Sequence, residues 1–434
     1  MKRRWMTVFC AVLFAMLVMT AADVKAASKT SAWEKGKQEV QTKGAFTYYI
    51  HPSKNGKEAW VYKIKIKGKK GRSLSIPKTI RGKKVTRLGC PDFGKGENKE
   101  AYTTLFGTHM EPWHNWDGSS TAVSALKSIR IPDTVKVIDR AAFGGLDSVT
   151  TIKLPKKVKK IGEYTFFGCD KLKTIVLPEQ MESFQNSSLW GCPSLKNIKL
   201  SQKNKTFEVK GNCLIRKKNM ALVAAATAGK EFAIPDGIKK ITSYAFGSAV
   251  SPAIHIPASV TKIEKAAFNR DPWKMNRSIK NVTVSENNPV YARDGQCIYK
   301  KSDKSLAVAI SDEKGVLRIS ELVEKLTPDF SLVNCAAFEL DPVEGVMEQV
   351  IYPSNLKHVT VPAFGAIDCD NVYFTGSVPP EVVDPEPDEG YTKLPCRNVY
   401  VPEAYADAYK AWYEENECYI YVDKWNTYNP ETGF

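Results

Sequence analysis

A repeat constrains this chain more than any other feature. The apolar-proline pairs Ile131-Pro132, Leu154-Pro155 and Leu177-Pro178 stand 23 residues apart, and Leu200 follows 23 later with Ser201 in place of proline. Ile234-Pro235 and Ile256-Pro257 continue the series after an insertion. Tyr352-Pro353 and Val401-Pro402 are late members, and Ile76-Pro77 an early one. Four further offsets hold from the marker across six copies. At +4 stand Val135, Val158, Met181, Ile238, Val260 and Leu356; at +7, Ile138, Ile161, Phe184, Ile241, Ile263 and Val359. At +11 comes a small residue (Ala142, Thr165, Ser188, Ala245, Ala267, Ala363). At +12 comes Phe143, Phe166, Leu189, Phe246, Phe268 or Phe364.

A unit of about 23 residues cannot enclose its own apolar side chains, whereas stacked units can, which is the logic of a solenoid. "LKTIVLP" alternates with the period of a strand, and its proline falls where ladder hydrogen bonding ends. "VKKIG" reads as a second extended piece. "EYTFFGC" reads as a tight turn of helix that drives one aromatic ring inward. The expectation is a leucine-rich repeat solenoid. Short parallel strands form one face, turns and short helical pieces the other, with hairpin inserts and terminal caps. The +12 residues would form a continuous spine.

"LKSIRIPDTVKVIDRAAFGGLDSVTTIKLP" and "VKKIGEYTFFGCDKLKTIVLP" resemble the bacterial BspA-like leucine-rich repeat class, across residues 71–402. The resemblance implies a right-handed, gently curved solenoid in a secreted or cell-surface binding protein that contacts matrix proteins or other cells. Leu189 in the aromatic position, the extra residues of "SELVEKLTPDFSLVNCAAF" and the loose pattern after residue 365 depart from the class outline.

Two longer units match at a constant offset of 84: Phe207 with Tyr291, Gly211 with Gly295, Cys213 with Cys297, Leu222 with Leu306. Each reads as a hairpin turning near Lys217-Lys218 or Ser302-Asp303, a contact surface or an elongated rung. Residues 44–70 alternate and turn at Lys54-Asn55-Gly56, as an N-terminal cap would. Pro402 opens a helix with Ala404, Ala408, Ala411 and Trp412 at helical spacing, a C-terminal cap. The resulting division is a signal peptide over 1–26, a hairpin cap over 27–70, and a solenoid over 71–401. Its inserts lie at 89–125, 201–233 and 285–318, and a helical cap and tail fill 402–434.

Residues 1–26 have the charged start (Lys2, Arg3, Arg4), the apolar run from Trp5 to Met19 and the small residues Val24 and Ala26 of an export signal. Of the +16 formal charge, this segment carries +3, from Lys2, Arg3, Arg4 and Lys25 against Asp23, so cleavage would leave +13. Such a field attracts polyanions. For an exported chain those are anionic cell-wall polymers and acidic glycans; with no recognition module present, nucleic acid is not expected. No later stretch is apolar enough for a membrane span.

The most site-like stretch is "FGTHMEPWHNWDGSS", where His109, Trp113, His114 and Trp116 could meet a sugar or protein partner. Pro112 and the H-x-E-x-x-H spacing argue against a metal site. No nucleophile-base, phosphate-loop or paired-carboxylate pattern occurs, so neither a cofactor nor an enzyme is expected. A wall-associated structural protein held by basic charge, and a glycan-processing enzyme using the 109–117 loop, are the competing readings. The mature chain has nine cysteines (90, 169, 192, 213, 297, 335, 369, 396, 418), an odd count against a complete disulfide framework. Cys169 and Cys192, one repeat apart, are expected as a ladder of buried thiols. Cys213 and Cys297, three rungs apart, should not pair.

Overall fold

The computed structural model describes residues 38–68, 72–89, 104–106, 121–268 (except 228 and 230), 279–333 (except 313 and 328), 347–361 with 363, 369–383, 394–416 and 420–431. The proposed export signal lies outside them, as do most of the 89–125 insert, Cys90, Cys335 and Cys418. Backbone contacts separate two units, one ending at Ser251 and the other beginning at Pro252. Each is a parallel-strand solenoid.

In the first unit, Glu39–Lys43, Phe46–Pro52 and Glu58–Ile66 pair antiparallel. Glu58–Ile66 then pairs parallel with Lys83–Leu88, and the ladder passes to Val137–Ile138, Lys160–Ile161 and Ser183–Phe184. Ile138, Ile161 and Phe184, the +7 residues, are successive partners in this register and buried. The "IxLP" segments build two further parallel sheets. Arg72–Ser75 pairs with Leu126–Arg130, and Thr151–Lys153, Thr174–Val176 and Asn197–Lys199 pair in parallel. Here Ile152, Ile175 and Ile198 align and face inward. The prolines act as the pattern predicts. Leu154 and Leu177 make the last ladder bonds, to Val176 O (2.9 Å) and Lys199 O (2.8 Å), and the next residue is proline. Its carbonyl then accepts the turn bond from Val158 or Met181.

The two inserts fold alike. Phe207–Lys210, Cys213–Arg216 and Ala221–Ala225 are antiparallel, and the third strand pairs parallel with Lys240–Ile241. In the second unit Tyr291–Asp294, Cys297–Lys300 and Leu306–Ile310 repeat this, the third pairing with Ser331–Val333. The insert's last strand is therefore itself a rung. One turn escaped the pattern: Gly211 and Asn212, at φ +55° and +59°, close the first two strands, as two successive left-handed residues do in tight hairpins. Lys217–Asn219 forms the second connection.

In the second unit Ala253–Ile256 pairs with Asn281–Val284. Val316–Arg318, Met347–Tyr352, Cys369–Phe374, Leu394–Pro402 and Ile420–Tyr428 form a five-stranded parallel ladder. The last rungs are regular although their sequence pattern is loose. The helix Ala406–Asn416 buries Tyr409 and Trp412, while Ala404, Ala408 and Ala411 are exposed. The buried stripe is thus aromatic, held by Tyr409 Oη donating to Gly376 O (3.2 Å) and Trp412 Nε1 to Pro380 O (2.7 Å). The segment after the helix is a further nine-residue rung, Ile420–Tyr428.

Candidate binding face

Of the predicted spine, Phe143, Phe166, Leu189, Phe246 and Phe268 are buried, and Phe364 lies outside the described residues. Phe143 and Phe166 stack with centroids 6.0 Å apart and planes 10° from parallel. The turn before each ring is not helical. Ala141, Tyr164, Tyr244 and Ala266, two residues before the spine, adopt φ of +53°, +52°, +59° and +57°. The Leu189 unit replaces this turn with the 3-10 segment Asn186–Leu189. Neighbouring rungs approach closely here, since a Cβ on Gly162 would lie 2.5 Å from Arg140 N. The +11 residue does more than leave space. Thr165 Oγ1 donates to Asp139 O (3.1 Å) and Ser188 Oγ to Gly162 O (2.7 Å), joining rungs.

The cysteines Cys169, Cys192, Cys213, Cys297, Cys369 and Cys396 are buried. Cys169 Sγ donates to Phe143 O (3.2 Å), and Cys192 Sγ to Phe166 O (3.0 Å), so the ladder repeats its hydrogen bond one rung on. Burial, then the neighbouring Cys192, pushes the Cys169 thiol well above its ordinary range; burial pushes Cys213 and Cys297 up to about 12. Cys369 and Cys396 are register partners in the second unit, a second thiol pair not foreseen from the sequence.

The two faces of the first unit differ in charge. Along the "VKxIG" ladder, cations meet carboxylates: Lys136–Glu58 (3.1 Å), Lys159–Glu182 (2.6 Å), Arg140–Glu163 (2.8 Å) and Lys83–Glu39 (2.9 Å). Arg87 grips Asp139 with two bonds of 2.6 and 2.7 Å and lies 4.0 Å from the Trp60 ring. Desolvation raises the Asp139 carboxyl, and Arg87 works against that rise.

Along the "IxLP" ladder no acid appears. Lys127, Arg130, Lys153, Lys173, Lys196 and Lys199 are all exposed, and among the described residues none of the six has a carboxylate in ion-pair reach. Lys153, Val176 and Lys199 are register partners, as are Thr151, Thr174 and Asn197. Lys196 N donates to Lys173 O (2.9 Å), which sets those two lysines on adjacent rungs.

The matching ladder of the second unit carries other groups. Gln349, Asn371, Asn398 and Lys424 form one row in register, and Tyr373 and Tyr400 stand in the next. Asn398 Nδ2 donates to Asn371 Oδ1 (2.9 Å), and the Tyr373 and Tyr400 rings stack at 4.4 Å and 7°. Burial, then Tyr400, raises the Tyr373 phenol.

His109, Trp113, His114 and Trp116 lie outside the described residues. Among the described residues no cluster of three or more His, Cys, Asp or Glu could hold a metal ion, and no helix is long and apolar enough to cross a membrane.

Residues 121–219 and 225–293 match the family model described as a BspA type leucine rich repeat region, in six copies. No curated protein matches the chain. Among solved structures, a leucine rich cell surface protein from Faecalibacterium prausnitzii is similar at 16% identity and a TM-score of 0.35, over 79% of this chain and 96% of that one. The pneumococcal vaccine antigen PcpA is similar at 14% and 0.34, over 90% and 98%. A leucine-rich repeat protein from Bacteroides ovatus is similar at 17% and 0.32, over 89% and 99%.

Proposed function

The chain carries BspA-type leucine-rich repeats, and on that premise we propose that it is an exported, non-catalytic protein that binds an extracellular macromolecule, protein or glycan, through its exposed strand faces. The observation that supports this is the ordering of polar side chains on those faces. Inward residues of each strand are committed to the core, while outward residues stand in register rows. A surface spanning several rungs suits an extended partner. Retention on a cell surface by basic charge is compatible with the same reading.

The test is a binding screen of the chain, without residues 1–26, against mucin, matrix proteins and wall polymers over a salt series. Retention of at least one class is expected. Failure to retain any class, in low salt as in high, contradicts the reading. Cell fractionation tests export separately, with the protein expected outside the cytoplasm.

A further inference from the structure

We propose that the acid-free strand face of the first unit is a binding site for a linear acidic polysaccharide. The inference rests on the binding reading above and specifies one site and one chemistry within it. The site comprises Lys127, Arg130, Lys153, Lys173, Lys196 and Lys199, with Ser128, Thr151, Thr174 and Asn197 between them.

The first argument is electrostatic. Rungs of a parallel ladder are about 4.8 Å apart, so Lys173 and Lys196 hold like charges on adjacent rungs, and Lys153 and Lys199 two rungs apart. Like charges directly opposite one another destabilise a sheet. On the other ladder the fold relieves this by placing Glu182 beside Lys159 and Glu58 beside Lys136. On this face, among the described residues, no carboxylate does so, although the strands Leu126–Arg130, Thr151–Lys153 and Asn197–Lys199 offer exposed positions for one. An external polyanion would supply the missing charge.

The second argument is chemical. Thr151, Thr174 and Asn197 lie in one row beside the cations, and hydroxyl and amide groups of this kind hydrogen-bond to sugar hydroxyls. The same strands carry no aromatic residue, so the stacking platform that single-stranded nucleic acid uses is missing. The third argument is shape. The charges spread over the three-stranded sheet Thr151–Lys153, Thr174–Val176 and Asn197–Lys199 and over Leu126–Arg130 of a separate two-stranded sheet, which a small anion could not span and an extended chain could.

The experiment uses the chain without residues 1–26 and calorimetric titration with dextran sulfate and polygalacturonate, with uncharged dextran and a single-stranded oligothymidylate as comparisons. Both acidic glycans are expected to bind, more weakly as salt rises, and dextran not at all. Replacing the six cations by glutamine (K127Q, R130Q, K153Q, K173Q, K196Q and K199Q) is expected to weaken binding about a hundredfold. A control variant with K43Q, K54Q, K57Q, K78Q, K84Q and K218Q removes the same charge from other exposed positions and should weaken it less than about fivefold. Equal losses in both variants would reduce the effect to net charge and overturn the proposal. So would binding of oligothymidylate alone. If the acidic glycans fail but another class is retained in the screen, this proposal falls and the binding reading stands; if nothing is retained, both fall.

Discussion

The two units present the same ladder with different chemistry. In the first, the outer strands carry cations and hydroxyls and no acid. In the second, the strands from Val316 to Tyr428 carry Arg318, Arg397 and Lys424 against Glu348, Asp370 and Asp423, and their rows are filled by asparagine and stacked tyrosine. The second face satisfies itself: amides bond to amides, rings cover rings, and Arg397 meets Asp370 at 3.3 Å. The first does not. Core positions dictate the rung, and the outer rows are left to vary independently of it.

That contrast requires the inner rows to do equal duty in both units. Phe166→Ala and Phe268→Ala should each cost about 3–5 kcal/mol, as loss of a fully buried ring does, measured by urea unfolding. A large loss in one unit and none in the other would break the comparison at its base. Next in size are the buried asparagines. Asn204 Nδ2 donates to Glu179 O (2.8 Å) and Met181 O (3.0 Å), and its Oδ1 accepts from Thr206 N and Phe207 N. Asn288 reproduces this on Pro257 O, Val260 O, Val290 N and Tyr291 N. Alanine at either position strands several buried backbone groups and should cost about 2–3 kcal/mol; unequal losses would show that the inserts are held differently.

Smaller effects separate the outer rows. Tyr400→Ala removes the stacked partner of Tyr373 and should cost about 1–2 kcal/mol. Lys153→Ala, on the other face, should change stability by less than about 0.5 kcal/mol. A Lys153→Ala cost as large as that of Tyr400→Ala would mean the cationic face has a folding role. Finally, Cys169, Cys192, Cys213 and Cys297 should not react with iodoacetamide at pH 8 in the folded chain and should react fully in urea, read by mass spectrometry. Burial shuts the reagent out of all four sites, and labelling without denaturant would show that the core opens.

The sequence made the apolar rows legible because hydrophobic side chains must recur at the rung period to meet. The polar determinants obey the same period and were passed over, since their role appears only in register. Asn204 and Asn288 differ by the same 84 residues as the insert pairs that were recognised, and their lysine partners Lys217 and Lys301 do too. The left-handed residues Ala141, Tyr164, Tyr244 and Ala266 left no signal, because an alanine or tyrosine does not announce a positive φ. Strand Ile420–Tyr428 carries none of the apolar-proline markers that betray the other rungs. The candidate face follows from offsets −1 and −4 relative to each apolar-proline marker. Those offsets become meaningful only once the ladder shows that they are exposed and lack acids. The loop carrying His109, Trp113, His114 and Trp116 drew attention through composition alone.

The central claim is that binding chemistry is written on the outer row of one unit and is absent from the other. Lysine acetylation with and without dextran sulfate, read by peptide mass spectrometry, tests it most directly. Protection is expected at Lys127, Lys153, Lys173, Lys196 and Lys199, with Lys424 unchanged. Protection spread evenly over both units, or confined to Lys424, would contradict the account.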